Sequence, residues 1–303
     1  MDDPSAGRGA RPARLAVGVV SAGRVGAALG AALAAAGHQV IATSGVSRES
    51  VRRAATLLPG SPLLPPDEVA QRADLVLLAV PDDVLPGLVL GLAAADAFRP
   101  GQIVVHTCGA EGVAVLRPAA ERGVLPLALH PVMTFTGRPE DVQRLAACPV
   151  GVTASQGDDA AWSVGEALVL EMGAEPVRVP EVVRPLYHAA LAHGANHLIT
   201  LVRDCVDLLE RAGVRPAERL VAPLLSAALD NALRHGDRAL TGPVARGDVR
   251  TLRGHLRELA GAAPEIGLVY RALAERTATR ANAAGLLGGA ATDEVLGVLG
   301  EPR

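Results

Sequence analysis

The stretch VGVVSAGRVGAALGAALAAAGHQV, residues 17–40, decides how the rest of the chain is read. Its β-branched opening predicts a buried strand, Ser-Ala-Gly a turn, and the run from Val25 to about Ala36 a helix. A dinucleotide fingerprint places Gly-x-Gly-x-x-Gly at such a strand–turn–helix junction. Here Ser21, Gly23 and Gly26 fill the three positions, so serine replaces the first glycine. The second glycine lets a backbone approach a diphosphate, and the third lets helix pack on strand; both are kept. Amides near Arg24 and Val25 would lie at the positive helix end facing the phosphates. Gly18 is expected to relieve crowding on the strand side.

Working outward, LAVGVV (15–20) is followed by HQVIATS (38–44), a helical 47–58, DLVLLAVP (74–81), IVVHTCG (103–109) and LPLALHP (125–131). Short apolar runs separated by helices indicate a parallel sheet covered on both faces. PVGVTA (149–154), a helix near 158–172 and EPVRV (175–179) continue the theme. The fold class is therefore α/β, a doubly wound Rossmann sheet over 13–179, followed by an all-helical domain over 180–303. That domain reads as helices over 181–212, 216–235, 248–260 and 265–284 with a short one after Thr292. Residues 1–12 read as a disordered leader without the apolar core of a signal peptide.

The end of the second strand chooses the cofactor. An acid reading the ribose 2′-OH belongs about 20 residues after the glycines. The chain offers Thr43, Ser44, Gly45, Val46, Ser47 and Arg48 before any acid appears. Hydroxyls beside a guanidinium suit a 2′-phosphate, so Ser44, Ser47 and Arg48 point to NADP(H). Val80 and Pro81 end one strand and Thr107 the next, placing all three beside a bound nicotinamide.

Composition removes other chemistries. All 29 basic residues are arginine. Without lysine there is no Schiff-base enzyme, no P-loop and no lysine acid or base. A net charge of −3 and 2% aromatic residues exclude the basic stripe and stacking platform of a nucleic-acid binder. Cys108, Cys148 and Cys205 lack metal-ligand spacing, so no metal is expected, and they suit a reducing, cytoplasmic setting. Val25 to Ser47 carries no Asp, Glu, Lys or Arg, but it is Ala- and Gly-rich and broken by His38 and Gln39, so a membrane span is rejected.

Three clusters resist explanation by packing alone: LALHPVMTFTG with His130, Thr134 and Phe135; YHAALAHGANHL (187–198) with His188, His193, Asn196 and His197; and LTGPVARGD (240–248). Each has a plainer reading. A helical histidine is commonly surface or core, and Gly242, Pro243 and Gly247 can simply connect two helices with Asp248 as N-cap. Asn196 inside a long helix still needs a reason. Arg246 on a constrained loop suits a carboxylate.

Together with DLVLLAVPDDVL and VVHTCGA, these clusters resemble the Rossmann-like and DUF2520 domain-containing proteins, over roughly residues 15 to 275. The resemblance implies kinship with the β-hydroxyacid dehydrogenase, ketopantoate reductase and pyrroline-5-carboxylate reductase class. It implies NADPH-dependent reduction of a small 2-oxoacid, foremost 2-dehydropantoate to pantoate in pantothenate biosynthesis. Usual ketopantoate reductases carry Lys-x3-Asn-x3-Asn on the first helix of the second domain. Laying Asn196 on the last asparagine puts His188 on the lysine and Ala192 on the middle asparagine. Histidine is a competent donor in place of lysine.

The expected catalytic residues are thus His188 or His130 as acid, with Asn196 orienting the oxygen. Thr134, His193, Thr241 and Arg246 are expected to contact substrate. Other members of the class, pyrroline-5-carboxylate or prephenate-type dehydrogenases, remain open, as does a non-catalytic NADP(H) sensor. A homodimer is expected by analogy with the class.

Overall fold

A computed structural model describes residues 14–301; the expected leader lies outside them. In chain order the elements are β1 (Ala16–Val20), α1 (Arg24–Ala35), β2 (Gln39–Thr43), α2 (Arg48–Leu57), α3 (Pro66–Arg72), β3 (Leu75–Leu78), α4 (Leu85–Ala94) and β4 (Ile103–His106). There follow α5 (Arg117–Ala120), β5 (Leu125–Pro131), α6 (Glu140–Leu145), β6 (Pro149–Thr153), α7 (Asp159–Glu171) and β7 (Glu175–Arg178). The helical region holds α8 (Arg184–Arg211), α9 (Ala217–His235), α10 (Gly242–Ala245), α11 (Val249–Ala262), α12 (Pro264–Ala283) and α13 (Gly289–Gly300).

The strands form one sheet in the order β2-β1-β3-β4-β5-β6-β7. Alternation along them builds two cores. Val17, Val19, Leu75, Leu77, Val105 and Leu127 pack with Leu29 and Leu33 of α1 and Leu168 and Val169 of α7. Val20, Val76, Leu78 and Val104 face the other way, onto Val69 of α3 and Leu85 and Val89 of α4. This is why the strands read as continuous apolar runs: both faces are covered. Fully burying each such side chain stabilises the fold by about 1.5–3 kcal/mol. Pattern alone gives no helix bounds over 66–72 or 85–94. Both helices carry proline in their first turn, which suits a helix start.

The reading of a parallel sheet needs one correction. β2 through β5 are parallel, but β6 pairs antiparallel with β5, and β7 then runs parallel to β6. The only helix between β5 and β6 is α6, with 6 residues. It rises about 9 Å, against about 17 Å for a five-residue strand, too little for a crossover. Asp141 folds that connection on itself, accepting from the Thr136 and Gly137 amides at 2.8 and 2.7 Å. α7, with 13 residues, is long enough and gives the parallel β6–β7 pair.

The chain packs as two compact units, the first ending at Leu191 and the second starting at Ala192. The opening turns of α8 thus belong with the sheet. In the second unit, Leu252, Ala278, Val295 and Val298 form a core among α11, α12 and α13.

Candidate active site and dinucleotide cradle

The carboxyl ends of β1 to β4 carry the fingerprint and its neighbours on one edge of the first unit. At the β1 end, Ser21 takes a positive φ of 75°, the left-handed conformation that a first glycine would accept freely. Ser44 clamps this turn. Its Oγ accepts from the Ser21 amide at 2.9 Å and its carbonyl from the Ala22 amide at 2.7 Å. A Cβ at Gly26 would collide with the Ser21 carbonyl and lie 2.8 Å from Ala79 Cβ, so this glycine seats α1 on the sheet. Gly23 differs: the nearest atom to a Cβ there is Ser21 Oγ, at 3.6 Å.

Helix α1 has no side-chain cap and no acid in its first turn. Its leading amides, those of Arg24, Val25 and Gly26, therefore lack a side-chain acceptor beside an open Gly23 face, an arrangement that fits a diphosphate. Gly18 explains the crowding expected of it, since a Cβ would stand 2.8 Å from Val69 Cγ1.

At the β2 end, Ser44 is buried, and Ser47 caps α2 by accepting from the Ser50 amide at 3.1 Å. Ser47 and Arg48 are both exposed there. Val80 and Pro81 follow β3, and Thr107 follows β4, its amide donating to Leu78 O at 3.3 Å.

A histidine cluster sits at the end of β5. His130 pairs in register with Gly151 of β6, and Tyr187 of α8 lies over that glycine, where a Cβ would come 2.7 Å from the phenol oxygen. The Tyr187 hydroxyl is 2.8 Å from His130 Nδ1. The His188 ring meets His130 edge-on, with centroids 6.0 Å apart and planes at 87°. Gly109 makes room for both rings: a Cβ would strike His188 and stand 2.9 Å from His130 Nε2. Burial, with the charges of Arg184 and His188, pushes the His130 pKa down to about 4. The ring is therefore neutral at pH 7. With Tyr187 donating to Nδ1, its proton resides on Nε2.

Beneath this cluster Arg184 is fully buried. Its Nη1 donates to Thr153 Oγ1 at 2.8 Å and its Nη2 to the Cys108 carbonyl at 2.6 Å, while Nε has no partner among the described residues. Burial lowers its pKa. His106 is also buried. Its Nδ1 accepts from the Cys108 amide at 3.2 Å, so Nε2–H donates to the Gly112 carbonyl at 2.9 Å. Burial holds its pKa at about 4. Burial, then Asp82, drives the Cys108 thiol far up, which removes it as a thiolate nucleophile. Glu181 accepts from the Val113 and Ala114 amides at 2.7 and 3.0 Å and caps the 3-10 turn Val113–Leu116.

The remaining expected residues are spread more widely. Thr134 is exposed in the loop after β5. His193, Asn196 and His197 lie exposed along α8, with His193 Nδ1 3.0 Å from His197 Nδ1. Thr241 precedes α10 and Arg246 follows it, both exposed, while Asp248 caps α11 by accepting from the Thr251 amide at 3.1 Å. The structure thus brings His130 and His188 together and gathers the cradle residues on one sheet edge. Tyr187, Arg184 and Gly109 were not singled out by sequence. Tyr187 is one of only two tyrosines, a rarity that marks it, but its partner is visible only once α8 meets β5 and β6. Among the described residues, no three His, Cys, Asp or Glu side chains group as a metal site, and no helix is long and apolar enough to cross a membrane.

Sheet order, glycine-shaped junction and helical second unit define a Rossmann-like α/β protein. The chain matches the Rossmann-like domain family over residues 1–131 and the Domain of unknown function DUF2520 over 148–277. It belongs to the Rossmann-like and DUF2520 domain-containing proteins.

Solved structures share the fold. A Bacteroides fragilis protein described as an NADP oxidoreductase superposes with a TM-score of 0.71 at 22% identity, over 87% of this chain and 98% of that one. A Streptomyces aurantiacus imine reductase gives 0.61 at 20%, over 94% and 100%. The Plasmodium falciparum pyrroline carboxylate reductase with NADP bound gives 0.56 at 13%, over 94% and 98%. Among curated proteins, 97 residues are 32% identical to a type III pantothenate kinase of Anaplasma marginale; the match spans 30% of this chain and only 38% of that relative's length.

Proposed function

We propose that the protein is an NADPH-dependent oxidoreductase acting on a small 2-oxoacid, 2-dehydropantoate foremost. The observation that carries this reading is the pairing, within one unit, of an open diphosphate cradle with the Tyr187–His130–His188 cluster. The fold neighbours named for NADP oxidoreductase and NADP-bound reductase structures support the coarser reading, and the resemblance to ketopantoate reductases supports the finer one.

NADPH, when bound, supplies the hydride. The chain's own residues do the rest. Gly23 and the first amides of α1 hold the diphosphate, and Arg48 takes the 2′-phosphate. Val80, Pro81 and Thr107, at the ends of β3 and β4, would flank the nicotinamide. His188 or His130 gives the proton to the alkoxide oxygen. From His130 it leaves Nε2 as Tyr187 passes its proton to Nδ1, leaving a Tyr187 phenolate that the Arg184 guanidinium stabilises and that takes a proton back from solvent before the next turnover. Asn196 orients the oxygen, Arg246 binds the carboxylate, and Thr134, His193 and Thr241 complete the substrate contacts. A positioned acid supplies about 10²–10⁴-fold; orientation and oxyanion stabilisation supply the remainder.

A second reading, imine reduction, is favoured by the likeness to imine and pyrroline carboxylate reductases. The test follows oxidation of NADPH or NADH with 2-dehydropantoate and, in parallel, pyrroline-5-carboxylate, using wild type, His188→Ala and Asn196→Ala. Turnover of the oxoacid with NADPH, lost in both variants while NADPH still binds, is expected. Turnover of the imine alone replaces the substrate class. Tight NADPH binding with neither turned over makes the protein a sensor and overturns the enzyme reading.

A further inference from the structure

The second unit carries a feature unconnected with the reductase reading. Helix α11 presents Arg250, Arg253 and Arg257 at spacings of three and four residues, which puts them on one side of the helix. They line a cavity of about 490 Å³ together with Arg271 of α12. Its apolar floor includes Leu256 and Val298. Four guanidinium groups thus share one concave space with a single lining carboxylate, Glu301, in a chain of formal charge −3.

The groups are not equivalent. Arg271 Nη1 donates to the Leu299 carbonyl near the end of α13, and Arg253 lies 3.3 Å from Glu301. These two are tied to the fold. Arg250 and Arg257 have no side-chain hydrogen bond or ion pair among the described residues.

Like charges gathered on one wall repel, and a concave, low-dielectric wall focuses their field. A guanidinium presents a planar fork of donors that matches phosphate oxygens, and it is held here on helices rather than on loops. The volume falls in the range of small-molecule sites rather than that of flat macromolecular contacts. We propose that this cavity binds a small, multiply charged phosphate-bearing molecule, whose phosphates lie between Arg250, Arg253, Arg257 and Arg271 and whose apolar remainder rests on Leu256 and Val298.

Calorimetric titration of the full chain with inorganic pyrophosphate tests this, with citrate as a carboxylate of comparable charge. Because pyrophosphate could also settle in the cradle of the first unit, variants locate the site. The double variant Arg250→Gln/Arg257→Gln removes the two unpaired groups. Each charge-assisted contact contributes roughly tenfold in affinity, so the pair should weaken binding about 100-fold. Glu301→Gln removes the competing carboxylate and should tighten it. Both changes lie on exposed side chains, and an unaltered unfolding temperature without ligand checks that the fold persists. Pyrophosphate binding that the double variant retains in full overturns the proposal, as does no binding at millimolar pyrophosphate. Citrate binding as tightly as pyrophosphate overturns the phosphate assignment.

Discussion

The Tyr187 hydroxyl stands 2.8 Å from His130 Nδ1, joining the fourth residue of a long helix to the penultimate residue of β5, an interior strand. That bond fixes both the ring's orientation and, with the phenol donating, the nitrogen that carries its proton. It also accounts for Gly151, the His130 register partner on β6, since any side chain there would displace the phenol.

Tyr187→Phe keeps the ring packing and removes only that bond. Loss of one orienting hydrogen bond is expected to lower kcat by about tenfold, with NADPH affinity unchanged because Tyr187 lies outside the cradle. Steady-state rates on the responding substrate, with a separate NADPH titration, measure the two. An unchanged kcat would remove Tyr187 from the proton path and leave His188 as the donor.

The two retained fingerprint glycines should separate stability from binding. A Cβ at Gly26 meets the Ser21 carbonyl and Ala79, whereas one at Gly23 meets nothing nearer than 3.6 Å. Gly26→Ala is therefore expected to lower the unfolding temperature by several degrees, in line with an overpacking cost of about 1–3 kcal/mol. Gly23→Ala should leave the unfolding temperature of the ligand-free protein within about a degree and yet weaken NADPH by tenfold or more, because its methyl projects where the diphosphate approaches. Equal NADPH affinity in wild type and Gly23→Ala would rule out this cradle.

Ser21 stores strain that its glycine counterpart would not. Its φ of 75° is a left-handed conformation, which costs a residue with a Cβ about 1–2 kcal/mol. Part of that relief is offset by the greater freedom of glycine in the unfolded chain. Ser21→Gly is expected to raise the unfolding temperature by about 2 °C without loss of NADPH affinity. A fall in thermal stability would show that the Ser21 side chain contributes more than its backbone costs.

Acid should destabilise the first unit through its buried histidines. His106, held at about 4 in the fold, returns to about 6.5 when unfolded. Below 6.5 the unfolded chain takes up a proton that the folded chain refuses, so stability is full above that pH and is lost as pH falls toward 4. The loss from His106 is of the order of 3 kcal/mol; His130, also depressed to about 4, acts with the same sign. Urea midpoints should hold level between pH 7.5 and 6.5 and then fall toward pH 4, and His106→Gln should flatten that fall. An unchanged slope in that variant would mean that His106 is charged in the fold.

Much of this was legible in the residues because local rules and tertiary packing agree there. The run around Val17–Val20 and the Ser21-Ala-Gly23 turn specify strand, turn and helix without help from distant contacts. The direction of β6 was not legible: PVGVT reads alike in either sense, and only the short α6 and the Asp141-folded loop forbid a crossover. Ser44 shows another limit. Its hydroxyl suits a 2′-phosphate by type, yet tertiary structure buries it and has it accepting from the Ser21 amide, while Ser47 and Arg48 stay exposed at that strand end. Arg184 reads as an ordinary helix-start arginine, and only the burial of Thr153 and Cys108 around it shows otherwise.

Helix α9 supports the expectation of a homodimer. Its Leu224 is 67% exposed and its Leu233 80% exposed. Leu220 and Leu229, nine residues apart and so about 180° around the axis, are exposed as well. The inner stripe of Ala217 and Val221 is already covered by Val206 of α8. A helix with exposed leucines on two opposite sides is built to be enclosed. A second copy of the chain is the partner we propose. Light scattering at micromolar concentration is expected to give twice the chain mass, and Leu224→Glu/Leu233→Glu to halve it while the cradle still binds NADPH. A monomer in the wild type would leave α9 facing some other partner and would sink the homodimer.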